Sequence, residues 1–220
     1  MYKMNDLYDL EHTLAKDYLS NYEYPWLTLK GIKDFIIELG QTLGDDYQEV
    51  KEHVWIHKDA QVFDSAYIGA PCIIGPRTEV RHGAFIRGSA LVGEDCVVGN
   101  SVELKNVIIF DSVQVPHYNY VGDSILGYKS HMGAGSITSN VKSDKTLVVV
   151  KDRIHDESIE TGLKKMGAML GDYVEVGCNS VLNPGTVIGR HTNIYPLSRV
   201  RGVIPAHSIF KDIDNIVKKR

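Results

Sequence analysis

Arg87 and Lys105 stand 18 residues apart, followed by His117, Tyr118, Asn119, Tyr120 and Asp123, then by the glycine-rich run Met132-Gly133-Ala134-Gly135-Ser136-Ile137-Thr138-Ser139-Asn140. A guanidinium and an ammonium brought side by side repel unless an anion or carboxylates lie between them, so the pair would grip a phosphate or diphosphate. Two solvated surface charges are the alternative reading. The segment around His117 offers a general base, aromatic walls suited to a sugar ring and a hydrogen-bond acceptor; a structural histidine is the plainer alternative. The glycine run lets a ligand approach the backbone and meet its amides, although glycine is common in such repeats in any case.

Such a grouping needs a fold that brings distant residues together, and the repeat supplies one. Bulky apolar residues fall at every sixth position, at Ile56, Val62, Ile68, Ile74, Val80, Ile86, Val92, Val98, Leu104 and Phe110. Small side chains follow four positions later, among them Ala60, Ala66, Cys72, Ala84, Ala90 and Cys96. The pattern returns at Leu170, Val176, Leu182, Ile188, Ile194 and Val200. A period of six fits neither a helix nor a hairpin sheet; it is the period of a left-handed parallel β-helix of hexapeptide repeats, an all-β solenoid. Three hexads make one triangular coil, so residues 18 apart lie one above the other, about 4.8 Å apart. The register is expected to slip between Pro116 and Leu126, and residues 141–169 to leave the coil as an extended loop.

Residues 1–50 differ. Leu7, Leu10, Leu14 and Tyr18 predict one helix and Leu29, Ile32, Phe35, Ile36 and Leu39 a second, together an N-terminal helical cap on the first coil. The β-helix is expected over 51–207, and a short C-terminal helix over 208–220. Cys72 and Cys96 fall at small inward positions and read as inert packing. Three cysteines without paired spacing suit a reducing, cytoplasmic setting. A net charge of −4 with no basic run argues against nucleic acid, and no apolar run is long enough for a membrane span.

The stretch VGNSVELKN…VQVPHYNYVGDSILGYKSHMGAGSITSN resembles the left-handed β-helix acetyltransferase domain of the bifunctional glucosamine-1-phosphate acetyltransferase/N-acetylglucosamine-1-phosphate uridylyltransferases, and the C-terminal domains of related sugar-phosphate nucleotidyltransferases. The resemblance implies an acyltransferase, acetyl-CoA as co-substrate with no metal required, a sugar phosphate or nucleotide sugar as partner, and a homotrimer. It assigns His117 as the catalytic base. It also implies that Arg87, Lys105, Tyr120 and His131 contact substrate, and that Ala134, Asn140 and Cys178 lie on the acetyl-CoA side. His131 stands where that family has Asn, Val141 replaces an aromatic, Cys178 replaces a small or hydroxyl residue, and Tyr195-Pro196-Leu197 replaces a Gly-Ala stretch, so the coenzyme A half departs most. Residues 1–50 carry no phosphate loop, so nucleotidyl transfer is not expected. Two other readings compete: a non-catalytic module that binds a nucleotide sugar or trimerises a nucleotidyltransferase, and a zinc hydratase using His82, His117 and His131, whose spacing is wrong for that class.

Overall fold

The computed structural model describes residues 1–219. Residues 54–212 wind into a parallel β-helix whose short strands stack into three faces. Face one stacks Val54–His57, Cys72–Ile74, Ala90–Val92, Ala168–Leu170, Thr186–Ile188 and Val203–Ile204. Face two runs from Gln61–Val62 to Ser208–Asp212, and face three from Tyr67–Ile68 to Arg199–Val200. Glu103–Ile109 and Tyr120–Leu126 are long enough to turn from face three into face one without interruption. The sixth-residue side chains point inward because neighbours along a strand alternate. Ile74, Ile86, Val92, Leu104, Leu126, Leu182 and Ile188 are accordingly all buried.

The register changes earlier than expected. Steps of 18 pair Val80 with Val98, but Val92 pairs with Ile109, one residue short. The edge between faces three and one has lost a residue: Asn106 alone turns the corner at φ 54°, where the coil before needs Gly88 at φ 114° and Ser89 at φ 50°. Asp123 repeats the device in the next coil at φ 49°. Asn and Asp tolerate this left-handed conformation better than other side chains. The slip therefore begins at Asn106 rather than at Pro116, and Ile109, not Phe110, takes the inward position.

The N-terminal residues form short pieces, Met4–Leu7, Lys16–Ser20 and Ile32–Gly40 as α-helices with 3₁₀ turns at Leu10–His12 and Pro25–Lys30. They do not sit on the end of the first coil, as expected, but run lengthwise along the outside of face one. The outward row of that face, Ile73, Leu91, Ile108, Ile125, Met169 and Val187, is apolar and fully buried. An apolar row on the outside of a solenoid demands a cover, and each such burial contributes about 1.5–3 kcal/mol. Ile32–Gly40 packs across the early strands, the Tyr8 ring lies 5.1 Å from that of Phe110, and Tyr2 Oη accepts the Ala206 amide at 2.7 Å in the last coil. The exposed edge of the first coil is covered instead by a strand, Tyr47–Lys51, antiparallel to Val54–His57.

Residues 139–167 leave and rejoin at the edge between faces three and one, slightly earlier than the expected 141–169, since Ala168 already pairs with Thr186. The excursion contains an antiparallel hairpin, Val149–Asp152 with Glu157–Glu160, and lies back along the coil. The expected C-terminal helix is a second hairpin: Ser208–Asp212 continues face two and Asn215–Lys218 folds antiparallel onto it. The alternation Ile209, Ile213, Ile216, Val217 reads as helical spacing, but pairing with Asn193–Ile194 gives the segment a sheet edge to extend. No helix among the described residues is long and apolar enough to cross a membrane.

Candidate functional site

Arg87 and Lys105 share one edge, between faces three and one. The Arg87 amide donates to the Leu104 carbonyl of the next coil at 2.8 Å, and Lys105 is in register with Gly122. Both cations already have carboxylate partners. Arg87 Nη1 donates to Glu103 Oε1 at 2.9 Å, and Lys105 Nζ lies 3.3 and 3.2 Å from the two oxygens of Asp123. Asp123 is 4% exposed. Asn106 Nδ2 donates to its Oδ1 at 2.9 Å and Asn140 Nδ2 to its Oδ2, which compensates the cost of burying a carboxylate. Asn140 Nδ2 also reaches Tyr120 Oη at 3.1 Å. Burial first, and then the neighbouring Asp123 and Glu103 charges, push the Tyr120 phenol up, so its hydroxyl stays protonated.

His117 lies on the other side of face three, at its edge with face two. Its ring is exposed, while its backbone is fixed: His117 N donates to Asn119 Oδ1 at 3.1 Å, and its carbonyl accepts Gly135 N at 3.0 Å. Asn119 is 2% exposed and ties Nδ2 to the Gly133 and Ser136 carbonyls at 2.8 and 2.9 Å. Ala134 and Cys178 continue this edge in the following coils, linked through Asn179 N to the Ala134 carbonyl at 2.8 Å. The Cys178 thiol is exposed, whereas burial pushes the Cys72 and Cys96 thiols up to about 12, which keeps them inert. Of the glycine-run amides, Gly133 N and Gly135 N are taken by the Val176 and His117 carbonyls. Between them, the Ala134 amide has no backbone acceptor among the described residues.

The sequence groups are thus redistributed. Arg87, Lys105, Tyr120 and Asn140 come together, Asn140 through its bonds to Tyr120 and Asp123. His117, Ala134 and Cys178 form a column across face three. His131 joins neither: it points outward from the middle of face two, with Nδ1 3.3 Å from Gln114 Oε1. His82 is engaged elsewhere, its Nδ1 2.7 Å from Ser65 Oγ. Glu103 and Asn106 were not singled out, and Asp123, expected as an exposed acceptor, is instead buried against Lys105. The signal for Asn106 was present, since Asn106, Asp123 and Asn140 are 17 apart, which is the coil length once the corner residue is lost.

Residues 71–175 match the model of the GMPPB C-terminal domain family. The chain is 30% identical over 221 residues to the bifunctional sugar-1-phosphate nucleotidylyltransferase/acetyltransferase of Sulfurisphaera tokodaii, covering 94% of this chain and 54% of that protein. It is 33% identical over 139 residues to the bifunctional protein GlmU of Methanococcus maripaludis, covering 62% of this chain and 33% of that one. The chain thus spans about half or less of the length of these relatives. Among solved structures, PerB from Caulobacter crescentus in complex with CoA and GDP-perosamine superimposes with a TM-score of 0.39 at 17% identity, over 75% of this chain and 56% of that one.

Proposed function

The chain is a hexapeptide-repeat β-helix resembling the acetyltransferase domain of the bifunctional sugar-1-phosphate nucleotidylyltransferase/acetyltransferases, and on that footing we propose that it moves an acetyl group from acetyl-CoA to the amine of an amino sugar phosphate or nucleotide amino sugar. The carrying observation is that the two columns flank one uncovered face. Arg87 and Lys105 stand on one side of face three and His117, Ala134 and Cys178 on the other, with Tyr120 in the outward row between them.

In this reading His117 takes the proton from the substrate ammonium, and the freed amine attacks the thioester carbonyl. The Ala134 amide donates to the oxyanion. The C–S bond then breaks, the imidazolium returns its proton to the departing thiolate, and the new amide nitrogen releases its remaining extra proton to solvent. Arg87 spends one donor on Glu103 and its side chain is 47% exposed, so its other N–H groups remain for a phosphate. The Tyr120 hydroxyl orients the sugar. Face one is sealed by the protein's own N-terminal segment, so neighbouring copies have faces two and three to meet on. Exposed Tyr67 and Phe85 on face three suit a heterologous contact that closes as a trimer, with the site at the seam. The test is release of free thiol from acetyl-CoA with glucosamine 1-phosphate and related amino sugars as acceptors; no turnover with any of them rejects the reading.

The carboxylates already paired with Arg87 and Lys105 favour a second reading, a module that binds a nucleotide sugar without chemistry. Calorimetry separates the two: nucleotide-sugar binding with no acetyl-CoA binding selects the module.

A further inference from the structure

Further along the edge that carries Arg87 and Lys105, the excursion hairpin and the last coils enclose two adjoining clefts of about 410 and 470 Å³. Arg153, Asn183 and Arg201 line both. Arg199 and Lys211 complete one, while Lys151 and Lys142 complete the other. Lys142 is paired with Asp144 at 3.4 Å. Among the described residues, Lys151, Arg153, Arg199, Arg201 and Lys211 form no ion pair, and Asp212 is the other carboxylate on the walls. Five unpaired cations in a concave site, on a chain whose net charge is −4, repel one another unless an anion neutralises them. Three are arginines, whose planar donor forks match phosphate oxygens.

We propose that this groove is an anion site for a ligand bearing at least two phosphate groups, a nucleotide with a diphosphate or bisphosphate. The site is separate from the Arg87 and Lys105 cluster. Lys105 and Arg201 are four coil steps apart on the same edge, on the order of 19 Å, farther than one sugar monophosphate reaches. Two of its five unpaired cations, Lys151 and Arg153, come from the hairpin, so the excursion from the coil acts as the outer wall of the groove. The inference stands on the groove alone and does not need the acyltransfer reading.

The experiment is calorimetric titration of the full chain with pyrophosphate, at low and moderate salt, for wild type, Arg153→Gln, Arg201→Gln and the double variant. Lys145→Gln, outside both clefts, controls for net charge, and unfolding midpoints confirm that each variant folds. Wild type should bind with an affinity that falls as salt rises, each arginine variant should bind about tenfold more weakly, and Lys145→Gln should match wild type. Competition then identifies the source. Displacement by CoA but not by dephospho-CoA assigns an acyl-donor nucleotide, and displacement by UDP assigns a nucleotide sugar. Failure of pyrophosphate to bind wild type, or equal binding to the folded double variant, overturns the proposal.

Discussion

Lys105 holds its ammonium nitrogen 3.2 Å from Asp123 Oδ2, one coil away, and that carboxylate is nearly sealed from water. The two partners are not equivalent. Asp123 also receives Asn106 and Asn140, while Lys105 keeps a quarter of its side chain exposed, 26%.

Removing the carboxylate should therefore cost more than removing the ammonium. Asp123→Ala leaves the amides of Asn106 and Asn140 and the charge of Lys105 without their shared acceptor, and should cost about 2–3 kcal/mol. Lys105→Met leaves two amide donors on the carboxylate and should cost about 1 kcal/mol, after allowing for the solvent that already screens the ammonium. Urea unfolding of both variants measures the order, and an equal loss would contradict the asymmetry.

His117 and Asn119 separate chemistry from architecture. His117→Ala removes an exposed ring, so the unfolding free energy should stay within about 0.5 kcal/mol of wild type. Acetyl transfer should fall by about 10²–10⁴ if the ring is the base. Asn119→Ala breaks buried bonds that fix the turn, so both stability and turnover should fall. Steady-state thiol release beside an unfolding curve distinguishes the two patterns, and unchanged turnover in His117→Ala removes it as the base.

The coil was legible because inward packing imposes a period on side-chain size, and that period survives in single residues such as Ile74 and Val92. The stacking of Arg87 over Lys105 followed from the same period. What was hidden depended on contacts between distant segments. The outward row of Ile73, Leu91 and Ile108 is apolar, yet a sequence does not say which segment covers it. The first helix was expected to be continuous, but its residues are divided so that Leu7 and Asp9 both bond to Asp172 and His12 to Asp111: the Leu7 carbonyl accepts Asp172 N, Asp9 N donates to Asp172 Oδ2 and the His12 carbonyl accepts Asp111 N. The bond of Asn140 to Asp123 was hidden because a one-residue shortening of a corner moves every later side chain relative to its 18-residue partner.

Asp111 sets a pH dependence. Burial is the main cause that raises its carboxyl to about 6, against the hydrogen bond from Glu94 N at 2.9 Å, which lowers it. The unfolded chain ionises near 3.9, so between about pH 4 and 6 the folded state binds more protons. Stability from this group is present at the acid end and is lost as pH rises through 6. Asp111→Asn keeps an acceptor for Glu94 N and removes the buried charge. It should stabilise the protein by about 1 kcal/mol at pH 8, a figure discounted for partial exposure, with the gain vanishing near pH 4. Thermal midpoints of both proteins from pH 4 to 8 measure it, and a gain that grows toward acid would show the sign to be wrong.

The excursion hairpin is latched to the coil through a glycine. Gly202 has φ +78°, and a Cβ there would stand 2.5 Å from the Lys151 carbonyl oxygen. Gly162, at φ +68° in the same excursion, has nothing within 4 Å of that position. Alanine at Gly162 meets only the conformational penalty, about 1–2 kcal/mol. Alanine at Gly202 meets the same penalty and must also push Lys151 away. The difference between the variants isolates the latch from backbone strain. Gly202→Ala should speed amide exchange through Val149–Asp152 and Glu157–Glu160 and weaken pyrophosphate binding at Arg153 and Arg201, while Gly162→Ala should leave both near wild type. If the two variants matched in exchange across the hairpin, the hairpin would not be held by Gly202, and the outer wall of the cationic groove would need another anchor.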